Sequence, residues 1–372
     1  MEGQINNYRP ISLLCTISKV LERIIFDKIV DFVQDHISSS QFGFLKGKSS
    51  QQQLLILLHH IHSNIEKKYT SGVIYLDLRK AFDSVVHGIL LTKLESIGIS
   101  GHLLRWFHAY LSDRYQCVSI NNSVSDLLSV LSVFIILFAD DTKCIHTTTD
   151  HSSSLSSVSF QCDLDALCQW SLNNGIHFND SKSVTMKFLS AKGQAQSPSY
   201  FLNSKPIPTA ISHRDLGVIL SSTLSWDDHI IFITSKAYKS LGLIRRTFSS
   251  TLPIHIKKQL YLSMVWSQLL YCSIIWRPNL IKHIIMLERI QRRATKYILN
   301  DYTSDYKSRL IALDLLPLSM VIEIADITFF LKSLHSPSHS SLILPTLLTL
   351  LSILWITLLS PLLTLAPPLN SN

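Results

Sequence analysis

The sequence predicts an α+β fold, and three observations lead to that class. Apolar residues at helical spacing fill two segments near the start of the chain. At Gly72 the period changes and short strand-like runs follow, and from Ser235 onward the pattern is again mostly helical. With 372 residues, 47% of them hydrophobic, the chain can form two or three domains with their own cores. A short peptide, a disulfide-stabilised mini-protein and a wholly disordered chain are excluded.

The first half of the chain contains two predicted helices, a strand and a third helix. The two helices lie within 11–37 and 50–69, separated by the glycine-containing break QFGFLKGKSS. The run VIYLDL then predicts a strand over 73–78. The pair Asp83-Ser84 is a candidate N-cap for a helix over 85–98, which Gly98 would end.

A hairpin of two apolar strands is predicted in the middle of the chain. Residues 134–138 form a buried strand, 143–147 return, and Asp140 and Asp141 lie at the tip. A further strand is predicted over 115–121, a helix over 164–175, and strands around 183–189 and 215–220.

Charge and cysteine content limit the setting of the protein. Lys and Arg number 34 against 26 Asp and Glu, which gives a net charge of +8 and favours a polyanionic partner. The six cysteines are scattered, without zinc spacing, and predict reduced thiols with no disulfide partners. No export signal is visible at the N-terminus, so we expect an intracellular protein of the nucleus and cytoplasm.

Three carboxylates are the candidates for chemistry. Asp77 ends one apolar strand and Asp140 and Asp141 follow another, so pairing of the strands would bring the acids to one edge of a sheet. Such acids repel one another unless cations neutralise them, and two hard divalent ions are the usual means of nucleotidyl transfer. The alternative is that they are ordinary strand-end or turn acids, since turns favour Asp.

Seven motifs resemble those of reverse transcriptases from non-LTR (LINE-type) retrotransposons, and they occur in that family's order over roughly residues 6 to 334. They are NYRPISLL, QFGFLKG, YLDLRKAFDSVVH, FADDT, NNGIHFNDSKS, DLGVIL and LERIQRRATKYIL. The resemblance implies a right-hand polymerase fold. Its parts would be partial fingers at 1–70, a palm at 71–235, a helical thumb or connection at 236–335 and an apolar low-complexity tail at 336–372.

The resemblance also assigns roles to individual residues. Asp77, the Leu78 carbonyl and Asp140 would bind two Mg²⁺ ions, which Mn²⁺ can replace, and Asp141 is the second acid of the box. Lys182 would be a catalytic lysine near the pyrophosphate leaving group. Two further residues would bind substrate: Arg9 at the triphosphate and Phe82 under the sugar 2′ position, where its ring excludes a ribonucleotide. The implied partners are an RNA template, a DNA primer and deoxynucleoside triphosphates.

The chain departs from the family at two places. In QFGFLKGKSS, Leu45 and Lys48 stand where many relatives have arginines, so phosphate contacts would be weaker or made by point charges. Between Ser125 and Phe134 a family segment that holds template and nucleotide against the palm is missing. We therefore expect a catalytically impaired remnant. The alternatives are a non-catalytic nucleic-acid-binding remnant and a protein tethered to a membrane by its tail.

Two C-terminal features allow two interpretations each. A predicted helix over 282–299 has a basic side that either binds a phosphate backbone or is a solvated face: Arg289, Arg292, Arg293 and Lys296. The tail has no charged residue after Lys332, and Ser341 to Leu365 is rich in leucine. Because Pro345 and Pro361 interrupt it, membrane insertion is the less favoured interpretation.

Overall fold

The computed structural model describes residues 16–79, 81, 84–112, 134–148, 153–188, 199–248 and 251–335. These residues form two compact units, one within Met1–Ser49 and Asn64–Ala210 and the other within Ser50–Ser63 and Ile211–Asn372. The fold mixes helices with antiparallel sheets, as predicted. The fingers, palm, thumb and tail bounds predicted at 70, 235 and 335 divide the chain differently from these two units, and they stay predictions. The strand expected over 115–121, the junction at 125–134 and the tail lie outside the described residues.

The first unit is built on a four-stranded sheet in the order β2-β3-β1-β4, with every neighbouring pair antiparallel. Its strands are β1 (Thr70–Leu76), β2 (Phe134–Phe138), β3 (Asp141–Thr148) and β4 (Val184–Phe188). The hairpin β2–β3 confirms the two predicted apolar strands and the position of Asp140 at the tip, but Asp141, also expected at the tip, is the first residue of β3 and pairs with Phe138. A two-residue pair, β5 (Phe201–Leu202) and β6 (Lys205–Pro206), follows.

A hydrophobic cluster of this unit lies on one face of the sheet. Alternate residues of the strands pack there against the long helix that follows β3, and the cluster includes Ile74, Leu76, Ile135, Cys144 and Phe160. Since side chains alternate along a strand, the residues between them point to the opposite face. Asp77 and Asp141 occupy positions of that second, alternate set, so both lie on the face opposite this cluster.

The helices up to residue 173 match the sequence pattern in part. They are α1 (Thr16–Gln34), α2 (Ser50–Glu66), α3 (His87–Ser96), α4 (Gly101–Leu111) and α5 (Ser153–Asn173). Helix α4 was not predicted, α5 begins eleven residues before the expected start at 164, and most of α2 belongs to the second unit. The N-cap expected at Asp83-Ser84 is wrong, because α3 begins after Val86, whose extended backbone precedes the first turn. Helix α1 forms as predicted but buries none of its residues, and Leu21 and Ile24 are about half exposed.

Besides most of α2, the second unit contains a tight hairpin followed by helices. The run DLGVIL is not one strand: β7 (Ser212–Asp215) and β8 (Val218–Ser221) pair across Leu216-Gly217, where both residues have positive φ, as a two-residue hairpin requires. The helices are α6 (Asp227–Thr247), α7 (Ile254–Tyr261), α8 (Ser267–Leu270), α9 (Ser273–Trp276), α10 (Ile281–Leu299), α11 (Tyr306–Ala312) and α12 (Leu318–His335), with a π-helical turn over Leu262–Trp266. The helical stretch therefore starts eight residues before the Ser235 expected from sequence.

Buried polar groups join these helices. Tyr261 donates a hydrogen bond to Gln291 Oε1 at 2.8 Å, and Gln291 Nε2 donates to the Leu316 carbonyl at 2.8 Å. At the start of α6, Asp227 is paired with Lys282 and with His283, the latter at 2.8 Å. These contacts fix the position of α10 against its neighbours within the unit. No helix among the described residues is long and apolar enough to cross a membrane.

Candidate active site

Strand pairing brings the predicted acids to one end of the sheet. In β1 and β3 the last register pair is Leu76 with Thr142, so Asp77 continues directly toward Asp141 on the neighbouring strand. Asp141 in turn pairs with Phe138 to close the hairpin, which leaves Ala139 and Asp140 as its turn. The register thus places Asp77 and the acidic turn on adjacent strands at the same edge.

A loop after α5 holds Asp77 through its backbone. The Asn179 N–H donates to the Asp77 carbonyl at 2.7 Å, and the Arg79 N–H donates to the His177 carbonyl at 2.8 Å. Leu78 is bridged to Phe178 between them. The carbonyl of Leu78, expected to help bind a metal, therefore belongs to a segment paired to the 177–179 loop.

The same loop returns a lysine to the Asp77 carboxylate. After Asn179 the chain turns, because its carbonyl accepts the N–H groups of Lys182 and Ser183, both at 3.1 Å. Lys182 Nζ then lies 3.2 Å from Asp77 Oδ2, and Asn179 Nδ2 lies 3.4 Å from the same oxygen. The structure therefore brings together Asp77 and Lys182, which are 105 positions apart in the chain.

The fingers motif QFGF lies directly against the acidic turn. Gln41 is bridged to Leu137 in β2, the Phe42 N–H donates to the Leu137 carbonyl at 2.8 Å, and the Leu137 N–H donates to the Ser40 carbonyl at 3.0 Å. A Cβ added to Gly43 would lie 2.3 Å from the Ala139 nitrogen, which is closer than real Cβ atoms come to backbone. Gly43 is therefore required for this close approach.

The lysine of the same loop has local partners. Lys48 donates from Nζ to the Ser39 carbonyl and lies over the Phe42 ring at 4.4 Å from its centre. Burial lowers the pKa of its ammonium group. Lys48 thus stabilises the loop after α1, next to the segment that contacts the acidic turn.

The side chains expected to bind a divalent metal ion are of a suitable chemical type, but the described residues do not form a metal-binding group. Carboxylates suit a hard divalent cation, and Asp77 Oδ2 already has the Lys182 ammonium as a positive partner. No group of three His, Cys, Asp or Glu side chains that could bind a metal ion exists within the described ranges. Arg9 and Phe82 lie outside the described residues.

The basic residues of α10 are on its exposed side. Three of the four are exposed and Lys296 is half-buried, while Leu287, Ile290, Ala294 and Ile298 are buried. The Arg292 guanidinium lies 4.4 Å from the centre of the Tyr306 ring, and that of Arg293 lies 5.1 Å from the Tyr238 ring. In the part of the chain that the structure describes, none of the four is in an ion pair.

Sequence reasoning missed three residues of this site: Gln41, Gly43 and Asn179. A signal existed only for Asn179, because Asn followed two positions later by Ser is typical of a side-chain-stabilised turn, and the Asn179 side chain accepts from Ser181. The other two contact a turn almost one hundred positions away.

The chain is similar to reverse transcriptases over its first third and to RNA-directed DNA polymerases over most of its length. Residues 2–131 match the family model for reverse transcriptase (RNA-dependent DNA polymerase). The chain is 24% identical to a probable RNA-directed DNA polymerase from transposon BS of Drosophila melanogaster, over 78% of this chain and 36% of the relative. It is 26% identical to an RNA-directed DNA polymerase from mobile element jockey of Drosophila funebris, over 61% of this chain and 28% of the relative.

A shorter match is closer in sequence. Over 31% of this chain and 16% of the relative, it is 31% identical to the Pol polyprotein of retrotransposable element R2 from Popillia japonica. Residues 2–131 therefore match the reverse transcriptase family, and the longer matches are to RNA-directed DNA polymerases of transposons and mobile elements, in agreement with the resemblance seen in the motifs. It spans about a third of the length of the transposon BS polymerase.

Proposed function

We propose that this chain derives from an enzyme that adds deoxynucleotides to a DNA primer under the direction of an RNA template, and that its catalysis is impaired. The observation that carries the proposal is the strand register that places Asp77 beside the turn of Asp140 and Asp141, with Lys182 on the Asp77 carboxylate. In the hand description, the fingers would span 1–70, the palm 71–235 and the thumb or connection 236–335. The setting would be the nucleus and cytoplasm.

In the proposed reaction Asp77, the Leu78 carbonyl and Asp140 would bind Mg²⁺ or Mn²⁺, with Asp141 as the second acid beside them. Bound there, a pair of divalent ions supplies activation of the primer hydroxyl and stabilisation of the leaving phosphates. Lys182 pairs with Asp77 when no metal is present, and in the proposed reaction it would donate to the departing pyrophosphate. Arg9 and Phe82 would bind the triphosphate and the sugar, and the basic side of α10 would contact template and primer.

Two findings support the loss of a segment near residues 125–134. The family match ends at residue 131, just before the β2–β3 hairpin. The alignment to the transposon BS polymerase runs over 327 positions, more than the 78% of 372 residues that it covers here, so the relative has residues inside the aligned region that this chain lacks. A nucleotide held on one side only is poorly oriented for attack.

Primer extension on an RNA template tests the proposal. A version with a family-type segment inserted between Val130 and Phe134 should extend the primer with Mn²⁺ present, and Asp140→Asn in that version should abolish extension. Extension that survives Asp140→Asn would show that the acids are not the catalytic group. Failure of the restored version, with its melting transition intact, would contradict the proposed cause of impairment.

A further inference from the structure

The turn that presents Asp140 is held by a side chain from outside its own hairpin. Gln41 Oε1 accepts a hydrogen bond from the Ala139 N–H at 2.9 Å and another from the Gly43 N–H at 2.7 Å. Gln41 Nε2 lies 3.5 Å from the Ala139 carbonyl. One amide side chain therefore contacts both backbone polar groups of the residue that immediately precedes Asp140.

The backbone at this point needs such support. Ala139 has a φ of +55°, a left-handed conformation that is unfavourable for a residue with a Cβ and persists only where surrounding contacts impose it. The N–H groups of Ala139 and Gly43 point toward the same position, and partly buried donors require an acceptor. The amide oxygen of Gln41 supplies that acceptor.

We infer that Gln41 is a positioning residue for the Asp140 carboxylate, acting through the Ala139 backbone. The inference rests on the proposed function, in which Asp140 binds a divalent ion. Residues that orient a metal ligand typically change metal affinity when they are replaced, although they do not touch the metal. Gln41 would thus connect the QFGF segment to the metal-binding acids.

Binding of Mn²⁺ to the purified full chain tests this role, with free Mn²⁺ measured by electron paramagnetic resonance. Gln41→Leu keeps the size of the side chain and removes the acceptor, so Mn²⁺ affinity should fall about 10- to 100-fold. Gln41→Glu keeps an acceptor oxygen at the same length and should retain Mn²⁺ binding. Retained binding in Gln41→Glu would show that the lost hydrogen bond, and not a general loss of stability, lowers the Mn²⁺ affinity of Gln41→Leu.

The chain offers a matched control in the same unit. Gln161 Oε1 accepts from the Phe201 N–H at 2.9 Å and its Nε2 donates to the Phe201 carbonyl at 3.0 Å, a similar arrangement away from the acids. Gln161→Leu should lower the melting temperature without changing Mn²⁺ affinity. A fall in affinity equal to that of Gln41→Leu would overturn the inference, because removal of any glutamine hydrogen bond would then suffice.

A further variant separates this inference from the proposed function. Asp140→Asn should weaken Mn²⁺ binding. If it does and Gln41→Leu does not, or if Gln41→Glu loses as much affinity as Gln41→Leu, the inference about Gln41 is wrong and the proposed function stands. If Asp140→Asn leaves Mn²⁺ affinity unchanged, the acids do not bind the metal, and the proposed function and this inference both fail.

Discussion

Asp77 has a lysine at one of its carboxylate oxygens, where the proposed reaction needs a divalent ion. Lys182 Nζ is 3.2 Å from that oxygen, and the lysine side chain is 60% exposed whereas the Asp77 side chain is 22% exposed. A pair that exposed is weak, because water and salt screen it. The lysine can therefore leave Asp77 at little cost when a metal ion enters, and this exchange can be measured.

Replacing Lys182 by methionine should tighten Mn²⁺ binding. The variant removes a cation that competes for Asp77 Oδ2, and an exposed pair of up to about 1 kcal/mol corresponds to a gain of up to about fivefold in affinity. The measurement is Mn²⁺ titration at constant ionic strength. Lys205→Met is the control, because Lys205 makes a similar pair with Asp180 at 2.8 Å. Equal gains in both variants would indicate a general charge effect.

Gly43→Ala should destabilise the first unit. The added Cβ meets the Ala139 nitrogen at 2.3 Å, and both partners are backbone, so the acidic turn or the QFGF segment must move. Overpacking of this kind costs about 1–3 kcal/mol. Urea unfolding followed by circular dichroism measures the loss. Gly72→Ala is the comparison, since its added Cβ comes no closer than 4.0 Å to the His146 carbonyl; similar losses in the two variants would refute the contact.

Elements that depend on local pattern could be predicted from the sequence, and contacts between distant segments could not. The apolar runs and the Asp pair predict the β2–β3 hairpin because period and turn chemistry are local properties. The contact of Gln41 with Ala139 joins residues far apart in the chain, and no local pattern reports it. The hairpin within DLGVIL was missed because Leu-Gly is not a usual hairpin turn.

At the scale of elements, α10 combines a buried apolar side with basic residues on its exposed side. Two of its arginines stack on tyrosines of α6 and α11, which orders the guanidinium groups while they remain exposed. Ordered and exposed cations lose less freedom when they bind a phosphate than free ones do. This arrangement favours nucleic-acid contact over a merely solvated face.

Converting the basic side of α10 to glutamine should flatten the salt dependence of binding to an RNA–DNA hybrid. Each phosphate that these residues no longer neutralise should lower the slope of log K against log salt by about 0.7–0.9. Fluorescence anisotropy at several salt concentrations gives the slope. The variant replaces four residues: Arg289, Arg292, Arg293 and Lys296.

A set of exposed lysines elsewhere in the chain serves as the control. If it changes the slope by as much as the α10 variant does, the effect is due to net charge and α10 has no special role. The control replaces four lysines by glutamine: Lys19, Lys28, Lys67 and Lys68.

The packing of helix α12 should become less stable as the pH rises. Burial raises the pKa of Asp326 to about 6, although Arg277 is 2.8 Å from one of its oxygens. A carboxyl whose pKa is raised on folding stabilises the fold at low pH, and that contribution is lost as the pH rises through about 6. The shift from 3.8 corresponds to about 3 kcal/mol.

The melting temperature of Asp326→Asn should therefore depend less on pH than that of the wild-type chain. The comparison runs between about pH 3 and pH 7, the interval that contains the two pKa values. Parallel pH profiles would show that Asp326 does not titrate in this interval. The neutral side chain keeps an oxygen that can accept from Arg277, so packing is conserved.

For the whole molecule, the described structure contains most of the residues that are proposed to bind metal and nucleic acid. The acids and Lys182 lie in the first unit and the basic side of α10 in the second. Nucleic-acid binding depends on distributed charge, so it tolerates small displacements of single groups. Chemistry does not, because orientation of the reactants can supply about 7–11 kcal/mol of barrier lowering and a misplacement near 1 Å can cost about 100-fold.

The chain as written should therefore bind an RNA–DNA hybrid and show no measurable primer extension. Mn²⁺ should still raise its melting temperature, since a ligand that binds only the folded state stabilises it, and the double variant Asp77→Asn with Asp140→Asn should remove that rise. The measurements are hybrid binding, a thermal melt with and without Mn²⁺, and primer extension on one preparation. Extension that Asp140→Asn abolishes would show that the missing segment is dispensable, because the remaining residues would then orient the nucleotide unaided.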